Sequence, residues 1–317
     1  MERIEIVVDI GGTNTRVAQA SQGRVLETSL RRYKNSGYAN LDEVLDEFIG
    51  ECGFDTIDAI CVAAAGPVLG GRAEMTNLSW IIDESALTQK YNTEKSIVLN
   101  DLQAQGYSLP HLQSNSLNTL LKGSDAADKN AMLVLGIGTG FNAAPVYKNG
   151  ASLHVPAAEA GHASLPAHTV NENAFLQYFT ERNGFTAVED ALSGRGLENI
   201  YGWLSGEERD AAEIMARVAD NSDANATAAL QHLTRVLGTV AGNLALITLP
   251  FGGIFLAGGV ARAIAPYLVE FGLREAFTDK GRFADFMDRF SLHVIEDDYA
   301  ALIGCAEHLH TELKLGT

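Results

Sequence analysis

Apolar residues fill Ile4 to Val8, broken only by Glu5, and resume at Val17-Ala18 after a polar, glycine-rich octet, Asp9 to Arg16. Apolar runs rich in β-branched residues on both sides of a turn predict strand, turn, strand. Thr15 to Ala20 and Val25 to Arg32 predict two further strands, with Gln22-Gly23 as a hairpin turn. The period then changes. Leu41, Val44, Leu45, Phe48 and Ile49 form one apolar stripe of a helix, with Asn40 and Glu43 at capping-box spacing and Gly53 as its stop. Ala59 to Ala65 reads as a buried strand ending in Gly66-Pro67, and Ser96 to Leu99 as another ending in Asn100-Asp101. Hairpin strands, then helix, strand, helix, strand, make an α/β half with a mixed sheet.

The pattern starts again after a polar, irregular stretch between Ser108 and Asn130. Ala131 to Leu135 is an apolar strand, followed by Gly136-Ile137-Gly138-Thr139-Gly140, an apolar run Phe141 to Tyr147, and a turn at Asn149-Gly150. Gly12-Thr13 lies in the first hairpin as Gly138-Thr139 lies in the second, and Gly23 and Gly150 follow at nearly the same distance. This is the signature of an internal duplication of one supersecondary unit. Later come a long helix from about Asn225 to Leu249, a short strand Ile254 to Ala257 ending in Gly258-Gly259, and a last helix from Tyr299 to Leu313. Two domains are expected: 1–109, completed by the C-terminal helix at about 300–317, and 110–299.

Composition narrows the classes. A chain of 317 residues is long for one core. The net charge of -17 argues against nucleic acid and anionic membrane surfaces, which require cationic patches. Cys52, Cys61 and Cys305 are odd in number and far apart, which suits a reducing compartment and matches no structural-zinc spacing. The N-terminus enters a strand directly, without a signal core, and the most apolar stretch, Val236 to Leu249, is too short to span a bilayer. A cytoplasmic protein is expected.

Three glycine turns at strand ends carry the candidate chemistry. Adjacent glycines let backbone N–H groups converge on an anion and let a ligand approach closely. Gly11, Gly12, Thr13 and Asn14, and Gly138, Thr139 and Gly140, read as two phosphate turns. Asp9 at the first strand end is placed to hold the water shell of a cation beside those phosphates. Gly258-Gly259 would let a nucleoside lie flat against backbone. No G-x-x-x-x-G-K-[ST] segment occurs, so a P-loop is excluded. Gly138-x-Gly140-x-x-Ala143 loosely satisfies a dinucleotide fingerprint, but a Pro145-containing strand follows where that motif needs a helix. Asn100-Asp101 at a strand end, Glu159-x-x-His162 after the second hairpin, and Glu189 supply carboxylates, an amide and an imidazole. Taken singly, these also fit turn chemistry, a surface pair and a solvated acid.

The motifs together resemble those of the ATP-dependent bacterial glucokinases of the actin, hexokinase and Hsp70 superfamily. They are Asp9 to Arg16, Ala65-Gly66-Pro67, Met75-Thr76-Asn77-Leu78-Ser79-Trp80, Leu99-Asn100-Asp101, Gly138-Thr139-Gly140, Glu159-Ala160-Gly161-His162, Glu189 with Leu192-Ser193-Gly194-Arg195-Gly196-Leu197, and Ala257-Gly258-Gly259-Val260. The cysteine cluster of the related repressor/ORF/kinase sugar kinases is absent from the sequence. The resemblance implies two duplicated ribonuclease H-like domains of actin/hexokinase type, with mixed sheets flanking a central cleft.

It also implies ATP and Mg²⁺ as cofactors, the ion held mainly by ATP with Asp9 reaching it through water, and a homodimer. Asn100, Asp101, Glu159, His162 and Glu189 would bind a hexose, glucose first, and Asp101 would be the base on the attacking hydroxyl. Phe141-Asn142 and the alanines Ala157, Ala158 and Ala160 depart from the family's small or glycine residues, so another hexose or an amino sugar stays open. A non-catalytic actin-like switch is the alternative from a different class; it would need no base at Asp101.

Overall fold

The computed structural model describes residues 3–75, 78–124, 129–150 and 152–315. Thr76 and Asn77 of the Met75 to Trp80 motif therefore lie outside the described residues. In chain order the first elements are β1 (Glu5–Ile10), β2 (Asn14–Ser21), β3 (Arg24–Val25), β4 (Arg31–Lys34), α1 (Leu41–Cys52) and β5 (Ala59–Ala64). There follow β6 (Val68–Leu69), β7 (Arg72–Glu74), β8 (Ile81–Asp83), α2 (Glu84–Tyr91), β9 (Lys95–Asn100) and α3 (Asp101–Ser108). The middle of the chain supplies β10 (Leu117–Leu121), β11 (Ala131–Ile137), β12 (Phe141–Asn149), β13 (Ser152–His154), α4 (Val170–Asn183), α5 (Gly194–Ser205) and α6 (Ala211–Ala219). The last elements are α7 (Ala224–Thr248), β14 (Ile254–Ala257), α8 (Gly259–Leu268), α9 (Leu273–Thr278), α10 (Ala284–Met287), β15 (Leu292–Ile295) and α11 (Ala300–Leu315).

The chain forms two compact units. One comprises Met1–Gln113, Asn149–Ala157 and Asp297–Thr317; the other comprises Ser114–Lys148 and Ala158–Glu296. The sheet of the first unit runs β3-β2-β1-β5-β9, with β4 also paired to β2. β1 is antiparallel to β2 and parallel to β5, which is parallel to β9. The sheet of the second unit runs β12-β11-β14-β15-β10; β11 is antiparallel to β12 and parallel to β14, and β14 is parallel to β15. Each unit thus pairs a hairpin with two parallel strands in the same order, which is the duplication predicted from the glycine spacing.

The central parallel strands read as mainly apolar runs without alternation because both faces are covered. All six residues of β1 and of β5 are buried. Ile6, Val8 and Ile10 join Val44, Leu45 and Phe48 of α1 in one core. The opposite face carries α11, which packs on α3 so closely that a Cβ at Gly304 would stand 1.8 Å from the Ala104 carbonyl oxygen. His308 of α11 stacks on Tyr107 with ring centroids 4.1 Å apart. In the second unit the 25-residue α7 supplies the spine of the core, with α5, α6 and α9 packed along it. No helix among the described residues is long and apolar enough to cross a membrane.

Local signals hold at most ends. Asn40 Oδ1 accepts from the Glu43 N–H at 3.1 Å, and Gly53 closes α1 with φ 67°. Gln22 and Gly23, with φ 51° and 78°, make the predicted hairpin turn. One expectation fails. Val25 to Arg32 is not one strand, because a 3₁₀ turn over Glu27–Ser29 interrupts it. The Ser29 hydroxyl accepts the Gln19 N–H at 2.8 Å, a ladder donor that a continuous strand would have used, and donates to the Leu26 carbonyl at 2.6 Å.

Candidate active site

In the first unit the Asp9 to Arg16 octet is a β1–β2 hairpin whose tip, Gly12-Thr13, is exposed. The Gly11 N–H donates to the Asn14 carbonyl at 3.0 Å and narrows the turn. Asn35, just past β4 and buried, braces it from outside. Its N–H donates to the Thr13 carbonyl at 2.9 Å, its Nδ2 donates to the Gly11 carbonyl at 2.8 Å, and its Oδ1 accepts from the Thr15 hydroxyl at 2.8 Å. Asn35 thus holds two turn carbonyls, that of Thr13 through its backbone N–H and that of Gly11 through its side chain. Sequence reading missed Asn35; nothing near position 35 signals a partner some 20 residues back.

Asp9 sits opposite Arg16 in the hairpin register, and its Oδ2 accepts from Arg16 Nη1 at 2.8 Å. Burial pushes the Asp9 carboxyl pKa up, and the adjacent guanidinium acts against that shift. Arg16 belonged to the motif but had no assigned role; the cross-strand position of an Asp-x₆-Arg pair in a hairpin is the signal that could have found it.

Asn100 and Asp101 stand where β9 runs into α3. Asn100 is the N-cap. Its Oδ1 accepts the Leu102 N–H at 3.0 Å, its Nδ2 donates to the Gly66 carbonyl at 2.9 Å, and its own N–H donates to Gln103 Oε1 at 3.2 Å. Gln103 in turn donates to the Val155 carbonyl at 2.8 Å. The cap therefore ties together the end of β9, the Gly66-Pro67 turn and the segment after β13. It leaves the Asn100 amide one N–H and one lone pair. Asp101 is the first residue of α3, with its Oδ1 accepting the Leu102 N–H at 2.9 Å. A carboxylate at the carboxyl end of a parallel strand and the start of a helix is in the usual place for ligand chemistry in open α/β sheets.

In the second unit the β11–β12 turn is one residue shorter: the Gly138 N–H donates to the Gly140 carbonyl at 2.9 Å, and Thr139 is exposed at the tip. Three glycine segments meet here. The Gly194 N–H, at the start of α5, donates to the Gly138 carbonyl at 2.9 Å. Gly258, with φ 106°, has no room for a Cβ, which would stand 2.4 Å from the Ile137 carbonyl oxygen. Gly138 and Gly259 face open space within 4 Å of where a Cβ would be.

His162 and Glu189 come together from two one-turn segments, with Glu159 the residue that precedes the first. A 3₁₀ turn over Ala160–His162 pairs with the one over Val188–Asp190 through the Val188 N–H to Ala163 carbonyl bond of 2.9 Å and a bridge between Ser164 and Ala187. Glu189 Oε1 lies 3.8 Å from His162 Nδ1 and 3.9 Å from Arg195 Nη2. Its other oxygen lies 2.8 Å from the point a Cβ of Gly140 would occupy. The Gly138–Gly140 turn and the Glu189 carboxylate are therefore immediate neighbours. Among the described residues no group of three or more His, Cys, Asp or Glu could hold a metal ion.

The family model described as Glucokinase matches residues 6–312. The chain belongs to the glucokinase family. It is 32% identical to the glucokinase of Marinobacter nauticus over 97% of this chain and 98% of that protein. It is 28% identical to the glucokinase of Erwinia tasmaniensis, covering 99% of each. The crystal structure of a glucokinase from an Antarctic psychrotroph superposes with a TM-score of 0.88 at 27% identity, over 98% of this chain and all of that one. The fold is that of the two-domain, actin-like sugar kinases, as the motifs implied.

Proposed function

We propose that this chain is a glucokinase that transfers the γ-phosphoryl group of ATP to the 6-hydroxyl of glucose. Membership of the glucokinase family supports the activity, and one local observation supports its chemistry: the Gly138–Gly140 turn abuts the Glu189 carboxylate. A phosphate turn beside a carboxylate suits phosphoryl transfer to a hydroxylated acceptor. Leaving a sugar hydroxyl unpaired is costly, so recognition needs several acceptors and donors in fixed places.

The roles follow unit by unit. In the first unit Gly11, Gly12, Thr13 and Asn14 would take phosphate oxygens. Asn100 would bind a sugar hydroxyl with its remaining N–H and lone pair. Asp101 would accept the proton of the attacking hydroxyl as its oxygen bonds to the γ-phosphorus and the bond to the ADP oxygen breaks. In the second unit Gly138, Thr139 and Gly140 would take phosphate, Gly258 and Gly259 would seat the nucleoside, and Glu159, His162 and Glu189 would hold the sugar. Assigning both sets to one reaction rests on the family.

Asp9 has one oxygen bonded to Arg16, and a single carboxylate so paired fits an ion held through water by a nucleotide rather than one chelated by protein. Mg²⁺ bound in that way would offset phosphate charge. The reading extends to a cytoplasmic homodimer, which sedimentation of the purified enzyme tests.

A coupled ADP-release assay over a hexose panel is the direct experiment: glucose should be the best substrate. Asp101→Asn should keep most of its affinity for glucose and lose about 10²–10⁴-fold in kcat, the range for a positioned general base. Near-normal turnover in that variant would sink the assignment of Asp101. ADP release with no hexose dependence would sink the function.

A further inference from the structure

Asn142 lies two residues beyond the Gly138–Gly140 turn, and the structure shows what its side chain does. It lies on β12 opposite Gly136, so no cross-strand side chain competes for its space. Its Nδ2 donates to the Ala158 carbonyl. Its Oδ1 accepts the Ala160 N–H at 2.9 Å and the Ala143 N–H at 2.8 Å. The Ala158 carbonyl belongs to the peptide group before Glu159, and the Ala160 N–H to the one after it. One amide therefore grips both peptide groups that flank the Glu159 Cα. The amide orientation is set by its partners, since only Nδ2 can serve a carbonyl and only Oδ1 can serve N–H groups.

The grip matters because Glu159 is outside regular structure, with φ −129° and ψ 54°, and its side chain is exposed. The neighbouring contact is tight as well: a Cβ at Gly161 would stand 1.9 Å from the Phe141 carbonyl oxygen. The segment thus docks on β12 at 158, 160 and 161, with Glu159 projecting from the clamped part.

We propose that Asn142 is a positioning residue that fixes the Glu159 carboxylate for the sugar and so sets this enzyme's affinity for its hexose. The inference rests on the sugar-binding role given to Glu159 above. Alanines at 158 and 160 have less backbone freedom than glycines, but nothing in their own side chains orients the loop. The amide on β12 supplies that orientation. Because Glu159 would contact the sugar in ground state and transition state alike, losing the clamp should raise KM and leave kcat nearly unchanged.

The test is glucose affinity by titration calorimetry, with steady-state kinetics, on the full chain and on Asn142→Ala, Glu159→Ala and the double variant. Asn142→Ala should weaken glucose binding about tenfold, the worth of one to two net hydrogen bonds, with kcat within about threefold and the KM for ATP within about twofold. In the Glu159→Ala background the same substitution should change nothing further. Asn142→Asp keeps the acceptor but sets a charge against the Ala158 carbonyl, and should also weaken binding, by at least about threefold. Parent-like glucose affinity in Asn142→Ala or Asn142→Asp overturns the proposal, as does an equal effect in the Glu159→Ala background. If Glu159→Ala weakens binding and Asn142→Ala does not, only the positioning role falls. If Glu159→Ala binds glucose as the parent does, the sugar role of Glu159 falls, and this proposal with it.

Discussion

Gly161→Ala isolates the packing of the loop proposed to hold the sugar from its chemistry, because it adds one methyl group and removes no functional atom. The Ala160–His162 turn is 3₁₀, and Gly161 is not among the glycines with positive φ, so alanine is compatible with the backbone there. The conflict is steric. Its Cβ would lie 1.9 Å from the Phe141 carbonyl oxygen, against 3.4 Å for an ordinary contact, so the loop must withdraw by the difference, 1.5 Å. That movement breaks the 2.9 Å bond from the Ala160 N–H to Asn142 and carries Glu159 and His162 with it. Overpacking of this kind costs about 1–3 kcal/mol. Misplacing groups that position a substrate by about 1 Å costs on the order of 10²-fold in rate. The expectation is a soluble protein whose kcat/KM for glucose falls about 10²-fold while its KM for ATP changes little. Coupled ADP release at varied glucose and at varied ATP, with melting followed by far-UV circular dichroism, measures both effects. A variant with kcat/KM for glucose within about threefold of the parent and an unchanged melt would refute the idea that the Phe141 contact holds the loop.

Other substitutions probe the two units separately. Gly138→Ala meets no atom within 4 Å of its Cβ, so its melt should match the parent, yet the methyl occupies the space proposed for phosphate. The KM for ATP should rise at least about tenfold with glucose affinity retained; an unchanged KM for ATP would remove Gly138 from the phosphate turn. His308 is pushed down to about 4 by burial, with Glu312 pulling it back up and Lys95 pushing it further down. A histidine pKa lowered by folding leaves stability whole above the unfolded value of about 6.5. Stability is then lost as pH falls towards 4, where unfolded chains bind the proton and folded ones do not. The loss should reach about 3 kcal/mol at pH 4. Urea melts between pH 7.5 and 4.5 should show a shallower pH slope for His308→Phe, which keeps a ring against Tyr107. Equal slopes would show that His308 is not the group responsible.

The sequence by itself determined the elements whose causes are local. Mainly apolar runs without alternation specified β1, β5 and β11, because strands covered on both faces need no alternation. Asn40 with Glu43, and Gln22 with Gly23, specified a helix start and a hairpin turn through contacts within four residues. The repeated glycine spacing disclosed the duplication because both hairpins turn back tightly, through glycines, at the end of an apolar strand. The candidate residues Asp101, Glu159, His162 and Glu189 were legible only as members of a family pattern.

Tertiary structure decided everything that depends on partners distant along the chain. Ser29 broke a strand by reaching Gln19. Asn35 came back some 20 residues to brace the turn between β1 and β2. Glu189 came against Gly140 across an intervening helix, and Asn142 found the two peptide groups beside Glu159. None of these contacts has a local propensity to announce it. Each joins residues far apart along the chain, and such a partner is known only once the chain has packed; for the buried Asn35 the need to satisfy its polar atoms adds to this.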